Sequence, residues 1–175
     1  MRKLKNEELN RVSVEAFKKQ PKTHLVVVLD NIRSLSNIGS VFRTSDALAI
    51  EKIILCGITA QPPHREIHKT ALGATESVEW TYEHTTLEAV KKLRKSGYQT
   101  IAIEQADQAI SLIEFQPVKD RKYALIFGNE VHGVDDKVID ECDQCIEIPQ
   151  WGTKHSYNIS VAAGIVLWDI SLKLK

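Results

Sequence analysis

Three polar segments hold most of the residues that could do chemistry. Residues 30–44, DNIRSLSNIGSVFRT, combine amides and hydroxyls with Arg33 and Arg43. A helix starting here would offer unpaired backbone N–H groups to an anion, and the two guanidinium forks suit bidentate phosphate contact. An ordinary capped helix would use the same residues. Residues 128–133, GNEVHG, set one carboxylate, Glu130, between Gly128 and Gly133. Paired glycines allow a tight turn and a close backbone approach to a ligand. Residues 148–158, IPQWGTKHSYN, form a polar loop with a glycine and several hydroxyls. In its plainest role Ser156 caps the helix that follows.

Other chemistries lack their residues. No Gly-Lys-Ser/Thr follows the glycines of residues 128–133, and the dinucleotide pattern G-x-G-x-x-G is missing. The six histidines are scattered without an H-E-x-x-H, and there is no G-x-S-x-G, so a zinc site and a serine hydrolase are both disfavoured. Cys142-Asp-Gln-Cys145 is a lone C-x-x-C running from a helix end into a strand. A zinc site needs two more ligands, and a redox pair usually opens a helix after a strand.

The elements that must position these segments follow from hydrophobic periodicity. The spacing of Leu9, Val12, Ala16 and Phe17 predicts an amphipathic helix over residues 4–19, ended by Pro21. Residues 24–30, HLVVVLD, and 52–56, KIILC, read as strands buried on both faces, the mark of a parallel sheet. Residues 37–48 have helical spacing. The polar stretch around Pro62 and Pro63 reads as a long loop. Strands follow at residues 78–82, 98–103, 123–127 and 145–148, with helices at 86–95 and 135–142. The last helix, residues 158–172, is apolar on most sides and must lie in a core or against a partner subunit. Strands alternating with helices indicate an α/β fold with a mainly parallel sheet, in which ligands sit beyond the carboxyl ends of the strands.

The 175 residues fit one domain, with 43% hydrophobic and 26% charged residues. Twenty-three basic residues balance 23 acidic ones, which argues against a protein that coats nucleic acid by bulk charge. The balance is uneven, however. Residues 1–22 hold seven basic residues, among them Arg11, Lys18 and Lys19, and three acidic ones, a net +4. This is either a basic arm or a solvated helix face. There is no signal-peptide core and no apolar run of membrane length. Three cysteines suit a reducing compartment, so a cytoplasmic location is expected.

Taken together, Asn37-x-Gly39-x-x-x-Arg43, Gly128-Asn-Glu130-x-x-Gly133 and Ile148-Pro-x-x-Gly152-x-x-x-Ser156-x-Asn158 resemble the three motifs of the SpoU/TrmH-type RNA methyltransferases of the SPOUT superfamily. The resemblance runs from about residue 25 to 172 and includes residues 69–74, KTALGA. It implies transfer of a methyl group from S-adenosylmethionine to a ribose 2′-hydroxyl of tRNA or rRNA, without a metal. It also implies a C-terminal deep trefoil knot, a topology that chain-connection rules would not predict, and a homodimer built through the last helix. Residues 1–22 would then be a basic extension and 23–175 the methyltransferase domain.

Matched position by position, the resemblance makes Arg43 the catalytic arginine and Asn37 its structural partner. Glu130, Ser156 and Asn158 become the polar groups around the reacting ribose and the cofactor. Ile103, Glu104, Gly128, Ile148 and Ser156 are the expected cofactor contacts. RNA would be met by Arg33, Arg43 and Lys69, with Arg11, Lys18 and Lys19 from the basic extension. Because a guanidinium hardly releases a proton, Arg43 suits an electrostatic anchor better than a general base. Tyr157 and Gln150 stand where the family commonly has Leu and Met, and they bear on the pocket's shape. Two other readings stay open: a knotted RNA-binding protein without catalysis, and a small-molecule α/β enzyme.

Overall fold

The unbroken apolar runs form the centre of a seven-stranded sheet. The computed structural model describes residues 1–175, the side chain of Asn6 aside. The strands are β1 (Thr23–Asp30), β2 (Ile50–Cys56), β3 (Glu79–Glu83), β4 (Tyr98–Ile103), β5 (Ile110–Ser111), β6 (Lys122–Phe127) and β7 (Gln144–Glu147). Their order is β3-β2-β1-β6-β4-β7-β5, and every pairing is parallel. β1 and β6 lie at the centre, in register from Leu25 opposite Tyr123 to Leu29 opposite Phe127.

Alternate residues of these strands feed two cores, as a sheet covered on both faces requires. Leu25, Val27, Leu29, Leu125 and Phe127 face one layer of helices, α2 (Leu35–Ala47), α3 (Arg65–Ala71) and α7 (Ile159–Lys173). Val26, Val28, Ala124 and Ile126 face the other, α5 (Thr86–Lys95) and α6 (Asp136–Glu141). Short helices α1 (Val14–Lys19) and α4 (Ala74–Ser77) complete the chain, and α1 packs against α4 near the amino ends of the strands.

Two expectations need correction. The helix expected over residues 4–19 is broken into a 3₁₀ turn, Asn6–Leu9, and α1. Asn10 turns into the left-handed region between them, and Ser13 caps α1 by accepting from the Ala16 N–H. Of the apolar residues in that pattern only Phe17 is buried; Leu9 and Val12 are exposed, so no packing holds one long helix together. The loop expected around Pro62 and Pro63 contains α3 and α4. His64 caps α3 through Nδ1, which accepts from the Glu66 N–H, and Ile67 and Ala71 are buried. The last helix is apolar on most sides, as expected, but it is not buried on all of them. Val161, Trp168 and Leu172 are exposed along one side, while Ala163, Val166, Leu167 and Ile170 fill the core.

The glycine of the first motif is explained by helix packing. A Cβ on Gly39 would sit 2.1 Å from Thr70 Oγ1 and 2.3 Å from the Ile67 carbonyl oxygen, so α2 and α3 touch there nearly backbone to backbone. Thr70 also donates to the Ser36 carbonyl at 3.0 Å. Gly39→Ala is therefore expected to cost about 3 kcal/mol and lower Tm by roughly 10 °C, readable by thermal denaturation. An unchanged Tm would mean that the two helices can part at this crossing without cost. Among the described residues, no helix is long and apolar enough to cross a membrane.

Candidate active site

Three strands end side by side, and the loops that leave them enclose a cavity of about 910 Å³. Ile103 and Glu104 line it from the end of β4, Gly128 and Glu130 from the loop after β6, and Ile148 from the end of β7. Ser156 lines it from the segment entering α7. All five residues expected at the cofactor thus border one cavity, at the sheet edge where open α/β folds place ligands.

The walls are held by close contacts that need glycine. Gly133 lies in the left-handed region, and a Cβ there would fall 2.1 Å from Glu104 Oε2. A Cβ on Gly128 would lie 2.0 Å from the Gly133 backbone carbon. Glu104 uses both carboxylate oxygens structurally, accepting from the Gln105 N–H at 2.9 Å and the Val134 N–H at 3.1 Å. Asn129 closes the same loop, its Oδ1 accepting from the N–H groups of Val131 and His132. Gln105 donates to the His155 carbonyl at 2.5 Å, tying the end of β4 to the third polar segment.

A directional hydrogen-bond chain joins the three motifs. Asn158 Nδ2 donates to Asn37 Oδ1 at 3.2 Å, and Asn37 Nδ2 donates to Glu130 Oε1 at 2.6 Å. Each amide is fixed in orientation by giving on one side and receiving on the other. Asn158 Oδ1 also caps α7, accepting from the Ser160 N–H at 2.9 Å and hydroxyl at 2.7 Å. The cap is therefore Asn158, not Ser156; Ser156 is exposed at the cavity, and its hydroxyl has no partner among the described residues. α2 is capped in turn by Ser34, which accepts from the Asn37 N–H and aims that residue at the chain.

The lining has a definite electrostatic character. Glu104, Asp107, Glu130, Asp136 and Asp140 border the cavity, whereas no lysine or arginine does. Asp107, Asp136 and Asp140 carry no signal in the sequence, because only the pairing of β4 with β6 brings the segments after them to one place. Such a site favours a cationic ligand and repels phosphate. Among the described residues, no group of three His, Cys, Asp or Glu is arranged to hold a metal ion. The Cys145 thiol donates a hydrogen bond to the Glu104 carbonyl at 3.4 Å. Burial pushes the Cys142 thiol up to about 12 and raises that of Cys145 too, so both are protonated near neutrality and unsuited to metal or redox work.

The expected RNA contacts lie apart from the cavity. Arg43 sits six residues beyond Asn37 on α2, about 9 Å further along the axis and turned by roughly 120°. It is exposed, absent from the cavity lining and without a hydrogen bond among the described residues. Arg33 is exposed beside the start of α2. Lys69 is exposed but paired with Glu66 at 2.7 Å. Arg11, Lys18 and Lys19 are exposed on the segment at the amino ends of the strands, the opposite edge of the sheet from the cavity.

The chain matches the SpoU rRNA methylase family model over residues 24–168, most of its length. It belongs to the SpoU rRNA methylase family. Curated relatives include a TrmH family tRNA/rRNA methyltransferase of Staphylococcus haemolyticus, 29% identical over 85% of this chain and 58% of the relative. A tRNA/rRNA methyltransferase of Borreliella burgdorferi is 28% identical over 92% of this chain and 69% of its own length. Among solved structures, an AdoMet-bound rRNA methyltransferase from Sinorhizobium meliloti superposes with a TM-score of 0.81 at 27% identity, covering 94% of this chain and 62% of that one. The chain thus spans roughly three-fifths to two-thirds of the relatives it matches. For this SpoU family member the matched region takes in Asn37, Glu130 and Asn158, the residues of the hydrogen-bond chain, together with the whole cavity.

Proposed function

We propose that this SpoU family chain methylates a ribose 2′-hydroxyl of tRNA or rRNA, with tRNA favoured, using S-adenosylmethionine. The observation that carries this reading is the carboxylate-lined, lysine- and arginine-free cavity bordered by Glu130 of the Glu130–Asn37–Asn158 chain. A ligand bearing a sulfonium and an ammonium suits those walls. Ile103, Glu104, Gly128, Ile148 and Ser156 would hold it, the glycine-lined backbone allowing close approach. When bound, S-adenosylmethionine supplies an electrophilic methyl group and leaves as S-adenosylhomocysteine.

The protein's own contribution is alignment and charge. The amide chain through Asn37 and Asn158 fixes Glu130 at the cavity, and the free Ser156 hydroxyl is available to a ribose oxygen. Arg43, permanently charged, grips an RNA phosphate and directs a donor at the 2′-oxygen, stabilising the charge that develops there. The hydroxyl proton passes to phosphate or water. In our reading residues 23–175 form the catalytic domain, tied C-terminally as a deep trefoil knot, and residues 1–22 a basic extension. The exposed stripe of Val161, Trp168 and Leu172 on α7 supports a homodimer through that helix.

The experiment is methyl transfer from labelled S-adenosylmethionine to total tRNA and rRNA, followed by mapping of the modified nucleotide. Label on a 2′-oxygen supports the proposal. A rise in Tm with S-adenosylmethionine but no transfer would favour a non-catalytic RNA-binding protein. The basic extension gives a separate expectation. Replacing Arg11, Lys18 and Lys19 by Gln should weaken RNA binding and lower the slope of log K against log salt by roughly 0.7–0.9 for each phosphate no longer neutralised. Because α1 lies away from the cavity, cofactor affinity should be unaffected. Equal salt slopes for the two proteins would remove the extension from the RNA interface.

A further inference from the structure

We propose that Trp151 is a stacking platform for a base of the RNA substrate, at or next to the nucleotide whose ribose is methylated; this rests on the function proposed above. Trp151 is 85% exposed, far more than Trp168 or Tyr157, and its indole N–H has no partner among the described residues. A tryptophan left this open gives up a large burial gain, which a flat π-face in solution recovers only when something docks on it.

Its position selects the ligand. Gln150, immediately before it, lines the cavity, and the chain returns to the cavity at His155, Ser156 and Tyr157. The feet of this loop are tethered: the Tyr157 hydroxyl reaches the Pro149 carbonyl at 3.5 Å, and Gln105 holds the His155 carbonyl. Trp151 thus follows a cavity-lining residue on a closed loop, and its ring has only two side-chain torsions to fix on binding. The carboxylate lining repels phosphate. A nucleotide entering the cavity is better gripped by its base than by its backbone, and Lys154 in the same exposed loop offers the cation for the flanking phosphate. An aromatic face beside a basic side chain is the usual means of holding an unstacked base.

The test compares Trp151→Ala and Trp151→Phe with the wild-type protein on the tRNA or rRNA transcript that the wild type methylates. Trp151→Ala is expected to lower kcat/KM roughly tenfold, mainly through KM for RNA, and Trp151→Phe to recover most of the loss. S-adenosylmethionine affinity should match wild type in both, a result that disruption of the loop would not give. RNA should also quench tryptophan emission of the wild type, and Trp151→Phe should lose most of that quenching. Wild-type kinetics in Trp151→Ala, or quenching retained in Trp151→Phe, overturns the proposal. So does a change in sedimentation mass in Trp151→Ala, which would assign the ring to a contact between copies of this chain. If the wild type methylates no RNA, the proposed function itself fails, a result distinct from all of these.

Discussion

Arg43→Lys should reduce methyl transfer by about 100-fold or more while leaving S-adenosylmethionine affinity unchanged. The size follows from the role: a donor directed at charge developing on the 2′-oxygen acts mainly in the transition state, and lysine keeps the charge but loses the planar fork. The unchanged affinity follows from position, since Arg43 does not line the cavity of its own chain. Near-normal turnover in Arg43→Lys would remove the anchor role.

The same position makes a second readout available. Arg43 points to solvent on α2, turned away from the Asn37 that joins Glu130. In the proposed dimer it would serve the partner's cavity. Inactive Arg43→Ala chains mixed with inactive Asn37→Ala chains should then recover activity, to about a quarter of the wild-type level if subunits exchange freely, because half the dimers carry one intact site. Mixtures as inactive as either parent would place Arg43 and Asn37 in the same chain's site.

The sheet is legible in the sequence because its central strands are buried on both faces. Leu25–Leu29 and Ile53–Cys56 allow no surface reading, and the residues after them had to be the functional edge. α3 is hidden because its start is capped by His64, an uncommon capping residue, and because its inward face is only Ile67 and Ala71. The N-terminal segment misleads for the converse reason: the helical period is present, but outside Phe17 nothing packs against it. The hydrogen-bond chain joins residues 93 and 121 positions apart, a closeness that neither propensity nor periodicity contains. The three motifs point to it only as a resemblance. The rest of the acidic lining is illegible, since Asp107, Asp136 and Asp140 look like ordinary surface charge until the ends of β4 and β6 are set side by side.

Asn37→Asp should lose methyl transfer by about 100-fold near pH 8 and regain part of it on acidification, measured as the ratio to wild type at each pH. Asn37 is nearly buried and works in both directions, donating to Glu130 at 2.6 Å and accepting from Asn158 at 3.2 Å. Aspartate keeps the acceptor but replaces the donor with an oxygen facing the Glu130 carboxylate. Two carboxylates this close do not both ionise without moving apart, so the pair binds a proton more tightly than either would alone. Above the raised apparent pKa of the pair, both groups are charged and the chain opens. Below it, the shared proton restores a donor between residues 37 and 130, and the ratio to wild type rises. Asn37→Ala supplies the control: it has no proton to regain, so its loss of about 100-fold should persist at every pH, with roughly 1–3 kcal/mol of stability lost from the stranded amide and carboxylate. A flat ratio for Asn37→Asp would show that the bond to Glu130 does not hold the site in its working geometry.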